Sequence, residues 1–324
     1  MTVFSFLCYI CIMSSMKDIS AFSKSITKAV ETAFSGSNEV IHFVVLSLVS
    51  SLHVLIEDVP GVGKTTLARS VAEAAGLSFS RIQFTPDMLP GDVLGMNVWN
   101  PSKNKFIYKE GPIYSQCILA DELNRTSPRT QSAFLEAMQE KQVTIDGITR
   151  KLPNPFFMIA TQNPQVFTGT FPLPEAELDR FGISFSIGYP SKENELNILN
   201  KIEDSVVSPV SNAKEILQIQ QTVNQVYVSE IVQKYIIDIA AETRANPHIS
   251  LGASPRAVIY IQKAAKAHAA LNERDHVLPE DVLYVCRPVL RHRIVLSSSA
   301  RLDKMTTDDV IQNACKNVPI PAGV

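Results

Sequence analysis

Seven residues, Pro60-Gly61-Val62-Gly63-Lys64-Thr65-Thr66, restrict this chain to few folds. They follow a short apolar strand at 53–57. They open a segment, 64–75, whose apolar residues Leu67, Val71 and Ala74 recur at helical spacing. Small residues between a strand and a helix let backbone N–H groups close on phosphate oxygens, and the helix N-terminus adds partial positive charge. Lys64 is placed to reach the β- and γ-phosphates, and the Thr65 hydroxyl to ligate Mg2+. The strict form of the motif has glycine at position 58, where this chain has Asp58. That carboxylate must point away from the phosphates for binding to survive.

A phosphate loop of this kind belongs at the end of a parallel strand, and the chain supplies the rest of such a sheet. Strand patterns recur at 78–84, 116–120, 156–161 and 183–187, with helical patterns between them. Two hairpins interrupt the series. Residues 95–111 alternate through Val98, Trp99, Phe106, Ile107 and Tyr108 around the turn Asn100-Pro101-Ser102. Residues 142–152 turn at Asp146-Gly147, the strongest two-residue hairpin signal. Beyond Gly188-Tyr189-Pro190 strand signals fade, and helical periodicity runs through 192–202, 212–225, 229–245, 255–272 and 279–294. Ser254-Pro255 and Pro279-Glu280-Asp281 read as helix starts. A length of 324 residues suits two domains. The expected division is an N-terminal extension at 1–19, an α/β core at 20–190 and a helical domain at 191–324.

The reactive groups lie at strand ends. Ile118-Leu119-Ala120-Asp121-Glu122 is an apolar strand closing on two acids: Asp121 for hydrated Mg2+, Glu122 to polarise an attacking water as general base. Phe157-Met158-Ile159-Ala160-Thr161-Gln162-Asn163-Pro164 is a second strand with a polar end. There Asn163 orients the water or senses the γ-phosphate, or else only forms an Asn-Pro turn. Leu178-Asp179-Arg180-Phe181 offers Arg180 to stabilise charge on a transferring phosphoryl group, the alternative being a surface arginine paired with Asp179. Gly252-Ala253-Ser254-Pro255-Arg256 sets Arg256 at the start of a helix, an end where a cation is not the favoured charge.

These stretches together resemble the AAA+ ATPases and, among them, the MoxR group, from about residue 20 to about residue 300. The most telling are the run from Leu119 to Glu140, then Ala160–Pro164, Pro174–Phe181 and Leu251–Arg256. The resemblance implies a P-loop core with a parallel sheet wound by helices, followed by a smaller all-α lid. It implies ATP and Mg2+ as cofactors. Pro60, Gly61, Val62, Gly63, Lys64, Thr65 and Thr66 become the Walker A loop, Asp121 and Glu122 the Walker B pair, and Asn163 sensor 1. Arg180 becomes an arginine finger and Arg256 sensor 2. The two hairpins become the helix-2 and pre-sensor-1 inserts, usually turned toward the pore or the partner-binding face. A finger acting on a neighbour's nucleotide implies a head-to-tail ring, typically a hexamer. The ring would remodel or mature client protein complexes as a chaperone, with partners that frequently carry a von Willebrand factor A domain. Two positions depart from the group: Ser35-Gly36-Ser37 stands for Val-Gly-Gln beside the adenine pocket, and Ser51-Leu52-His53 for Gly-Gly-His.

Charge and composition weigh against other classes. Thirty basic residues against 32 acidic ones, for a net charge of −2, disfavour general nucleic-acid binding. A DNA-translocating motor stays open through Lys103, Lys105 and Lys109 on one hairpin and Arg150 and Lys151 on the other. A chelatase-like motor and a nucleotide-gated scaffold stay open too, although a pure switch can dispense with Glu122. Five cysteines, an odd number in a long chain, are not a disulfide framework, and a reducing cytoplasmic setting fits. Cys8-x-x-Cys11 lacks a second pair for a metal. The apolar run 2–12 has no basic start and is too short for a membrane span. It reads as a start codon placed too far upstream, so that removing residues 1–15 should leave ATP hydrolysis unchanged. His42 and His53 read as core, the stripe Ala133, Phe134, Ala137 and Met138 as packing, and Arg291-His292-Arg293 as a solvated helix end. Arg125 and Arg129 are either intersubunit contacts or helix-start surface residues. Trp99 is a candidate interface anchor.

Overall fold

The computed structural model describes residues 3–163, 170–200 and 206–321, without the side chains of 3–15, Asn197 and Asn200. The expected strands are all present, with ends moved by one or two residues. They are β1 (Val54–Glu57), β2 (Phe79–Gln83), β3 (Cys117–Asp121), β4 (Phe157–Gln162) and β5 (Ile183–Phe185). They form one parallel sheet in the order β2-β3-β4-β1-β5.

The strands read as unbroken apolar runs because both faces of the sheet are covered. Successive side chains alternate between two cores. Val54, Ile56, Cys117, Leu119, Phe157 and Ile159 face one core, while Leu55, Ile118, Ala120, Met158 and Ala160 face the other. The first core is built by α1 (Val3–Glu31), α2 (Asn38–Val49) and α3 (Lys64–Ala74) together with the C-terminal helices. Helix α1 buries Met16, Ile19, Phe22, Ile26 and Val30, one stripe at helical spacing. The second core takes Phe134, Leu135, Ala137 and Met138 from α4 (Pro128–Glu140). Of the stripe expected from sequence, Phe134, Ala137 and Met138 are buried, while Ala133 is only half-buried and Leu135 joins the core in addition. Among the described residues no helix is long and apolar enough to cross a membrane. The side chains of Cys8 and Cys11, and Pro164 altogether, lie outside the described residues.

Both hairpins form. The first pairs Gly95–Asn100 with Lys105–Glu110, and the second pairs Gln142–Ile145 with Ile148–Lys151. In the second turn Asp146 (φ 50°) and Gly147 (φ 75°) are both left-handed, as a two-residue loop between twisted strands requires. The hairpins touch: Asn97 donates to the Asp146 carboxylate, and the Arg150 guanidinium lies 3.8 Å over the Tyr108 ring.

The C-terminal part contains α5 (Ala213–Asn224), α6 (Glu230–Ala245), α7 (Pro255–Leu271), α8 (Pro279–Leu290) and α9 (Thr307–Asn317). Ser254 caps α7 by accepting from the Ala257 N–H at 3.1 Å. A short antiparallel ribbon, Ile249–Leu251 with Val295–Leu296, joins these helices and carries too few residues to show a period. Helix α8 stops at Leu290 rather than running to 294. The reading of 291–293 as a solvated end is therefore corrected. Past the helix the chain folds inward, His292 is buried, and the Arg293 side chain is only 2% exposed.

Candidate functional site

Parallel strands end together, so the register of the sheet gathers polar residues along one edge. Gln83 lies opposite Asp121, and Glu57 opposite Gln162. The phosphate loop leaves β1 at this edge. Gly61 (φ 87°) and Gly63 (φ 89°) adopt left-handed conformations, which a side chain would strain. Helix α3 begins at Lys64 with no side-chain cap, so its first N–H groups remain available to an anion.

Asp58 resolves the departure from the strict motif. Its carboxylate turns away from the loop and accepts from the Val59 N–H at 2.8 Å and the Gly188 N–H at 2.7 Å. It thereby ties the start of the loop to the chain beyond β5. Its carbonyl accepts from Lys64 Nζ at 2.5 Å. Burial lowers the Lys64 pKa, while Asp58, Asp121 and Glu122 act in the opposite sense.

A cavity of about 250 Å3 is lined by loop residues that include Lys64 and Thr65 and, facing them, by Arg81, Gln83, Asp121, Glu122 and Asn163. Asp121 Oδ1 accepts from the Thr161 hydroxyl at 2.8 Å, and Oδ2 accepts from Arg81 Nη2 at 2.6 Å and Nε at 3.1 Å. Glu122 leaves the strand in a left-handed conformation (φ 56°) and donates its N–H to the same Thr161 oxygen at 2.9 Å. Its Oε2 accepts from Gln83 Nε2 and Arg125 Nη1, each at 2.9 Å. Asn163 accepts from Asn124 Nδ2 through its backbone carbonyl at 3.1 Å.

A second cavity, about 380 Å3, continues on the other side of the loop, and Gly61, Gly63 and Thr66 line both. Phe34, Ser35, Gly36 and Ser37 form one wall and residues 187–191 the other. A triphosphate in the first cavity and a planar base against Phe34 in the second is the fit these shapes offer. The hard oxygen donors of Thr65 and Asp121, both on the first cavity, match the ligand chemistry of Mg2+, which binds through few protein oxygens and keeps several waters. A larger cavity of about 790 Å3, between α2, α8 and α9, contains none of the motif residues.

Arg180 and Arg256 line neither cavity at the loop. Arg180 Nε pairs with Glu177 at 3.0 Å, not with Asp179. Asp179 instead holds the C-terminal helices. It accepts from the Ser254 hydroxyl at 2.9 and 3.0 Å and from Arg293 Nε at 2.8 Å, and lies 3.6 Å from Arg256. Thus the structure brings together Lys64, Thr65, Asp121, Glu122 and Asn163, and sets Arg180 and Arg256 around Asp179 apart from them. Arg125 reaches Glu122, whereas Arg129 is exposed on the first turn of α4. Sequence reasoning missed Arg81, Gln83 and Thr161. The first two alternate on β2, but only the pairing of β2 with β3 shows that they reach the acids. Trp99 is exposed as expected, edge-on to Phe106.

A phosphate loop on an inner strand of the sheet, with two acids two strands away and a helical lid, is the arrangement of the AAA+ class. Comparisons with known proteins agree. Residues 53–183 match the ATPase family associated with various cellular activities (AAA), and residues 241–314 match the AAA lid domain. The Bacillus subtilis protein YeaC, itself uncharacterized, is 40% identical over 95% of this chain and 98% of its own length. Chaperone MoxR1 of Mycobacterium tuberculosis is 36% identical over 88% of this chain and 79% of its own. The crystal structure of a candidate ATPase from Cytophaga hutchinsonii superimposes with a TM-score of 0.88 at 37% identity, covering 95% of this chain and 97% of that one. The chain belongs to the MoxR-type AAA+ ATPases, and it is an ATP hydrolase.

Proposed function

We propose that this chain works as one subunit of a ring, typically a hexamer, in which ATP hydrolysis remodels or matures a client protein complex in the cytoplasm. The observation that carries the reading is the separation of its parts. Lys64, Thr65, Asp121, Glu122 and Asn163 converge on one cavity, while Arg180 lies outside it. An arginine held outside its own chain's cavity, paired with Glu177, is available to complete a site on another copy. Lys64 binds the β- and γ-phosphates, and Thr65 and Asp121 would hold Mg2+, which neutralises phosphate charge when bound. Glu122 takes the proton of the attacking water, and Asn163 orients that water. Arg180 acts in trans on the transferring phosphoryl group, and Arg256, 3.6 Å from Asp179, serves as sensor 2. The core would span 20–190 and the lid 191–324, with the two hairpins facing the client or a partner bearing a von Willebrand factor A domain. The name Chaperone MoxR1, carried by one relative, supports the remodelling role.

The test mixes two inactive variants. Glu122→Gln should lose about 10²–10⁴-fold in turnover and Arg180→Ala about 10³–10⁵-fold. After subunit exchange at equal amounts, about a quarter of head-to-tail interfaces join an intact Glu122 to a neighbour's intact Arg180. Phosphate release should recover toward a quarter of the unmodified rate. No recovery, with exchange confirmed by a label, would exclude a shared site.

A further inference from the structure

Within the phosphate cavity one contact has no part in the scheme above. Arg81 presents two donors, Nε at 3.1 Å and Nη2 at 2.6 Å, to the single oxygen Oδ2 of Asp121, while the Thr161 hydroxyl takes Oδ1 at 2.8 Å. Both donors come from one edge of the guanidinium, so Oδ2 is held by a forked, charge-assisted contact. The same Nη2 also donates to Gln83 Oε1 at 2.6 Å, and Gln83 Nε2 donates to Glu122 at 2.9 Å. Asp121, Arg81, Gln83 and Glu122 thus form one chain of hydrogen bonds across the strand ends. The partners differ in freedom. The Asp121 side chain is 13% exposed and fixed from the strand, whereas the Arg81 side chain is 45% exposed and can swing into solvent.

We propose that Arg81 gates the metal site, competing with the divalent cation for Asp121 and linking release of that carboxylate to release of Glu122 from Gln83. This rests on Asp121 being a metal ligand, as the proposed function has it. A cation and a guanidinium repel, so binding of one at Oδ2 displaces the other. Once displaced, Arg81 no longer holds Gln83, and Gln83 loosens its grip on Glu122. With the cation in place the general base then keeps the Arg125 contact at 2.9 Å and has lost the Gln83 one. Arg81 acts through its neighbours, as a positioning residue.

The probe is Mn2+, titrated by electron paramagnetic resonance into the full chain saturated with a non-hydrolysable ATP analogue. Arg81→Gln should bind Mn2+ about two- to five-fold more tightly, the range for loss of a partly exposed competing ion pair. Arg81→Lys, which cannot donate twice to Oδ2, should also tighten binding and carries the test should the Gln variant not fold. Arg125→Gln removes an equal charge from Glu122 and should leave Mn2+ affinity unchanged. Unchanged or weaker binding in the Arg81 variants overturns the gate, as does equal tightening in Arg125→Gln, which would mean bulk charge alone. Asp121→Asn separates the two claims. It should weaken Mn2+ binding, and if it does not, the assignment of Asp121 as ligand falls instead.

Discussion

Replacing Asp58 with glycine would give the phosphate loop its more usual leading residue, yet the structure predicts a weaker protein. The Asp58 side chain accepts two backbone N–H groups, Val59 at 2.8 Å and Gly188 at 2.7 Å, and the residue is only 8% exposed. Hydrogen bonds to a charged acceptor contribute about 1.5–3 kcal/mol each. Gly188 borders the base cavity, where water can replace part of the loss. The expected destabilisation is therefore about 2–4 kcal/mol for Asp58→Ala, with a further ~0.5–1 kcal/mol for the backbone freedom of glycine. Asp58→Asn retains one acceptor and should lose about half. Because Gly188 and Tyr189 form a wall of that cavity, ATP affinity should fall along with stability. Urea unfolding gives the first quantity and titration with a fluorescent ATP analogue the second. If Asp58→Gly unfolds within about 0.5 kcal/mol of the parent, the size of an ordinary surface change, and binds the analogue equally well, the carboxylate is no brace.

Three further outcomes follow from the buried polar groups. Burial above all, with Lys141 and Lys263 adding to it, lowers the His53 pKa to about 3, so the ring is neutral in the fold. Between about pH 6.5 and 3 the unfolded chain holds the extra proton, so stability falls as pH falls, by about 1.4 kcal/mol per unit from this residue. His53→Asn, which can still accept from the Met158 N–H, should remove that much slope, and urea unfolding at pH 7 and pH 5 would show it. Asp179→Ala leaves the Arg293 guanidinium buried without its carboxylate and should cost about 3–5 kcal/mol, read from the same unfolding curves. Thr161→Val keeps the shape but removes the hydroxyl that bonds Asp121 and the Glu122 N–H. Phosphate release should drop about 10- to 100-fold, as for other groups that orient a metal-site ligand, and an unchanged rate would deny Thr161 that part.

Much of this protein is local, and local patterns are legible. The phosphate loop needs only a strand, two left-handed glycines and a helix start in succession, all within residues 54–74. The second hairpin needs only Asp146-Gly147 between alternating residues, and the five strands announce themselves as apolar runs because both faces are buried. Asp121 and Glu122 stand out because they end such a run. What was not legible depends on which strands are neighbours. Arg81 and Gln83 look like ordinary polar positions of a half-buried strand until β2 pairs with β3. Thr161 looks like any strand threonine until β4 lies on the other side of the acids. Arg293, which composition places on the surface, is buried because Asp179, more than a hundred residues away in sequence, is there to receive it. The sequence by itself determined the loop, the acids and the class of chemistry, since each is a short-range pattern with one physical solution. Only the tertiary structure decided which side chains hold those acids and which carboxylate anchors the lid, because such partners are chosen by strand order and helix packing.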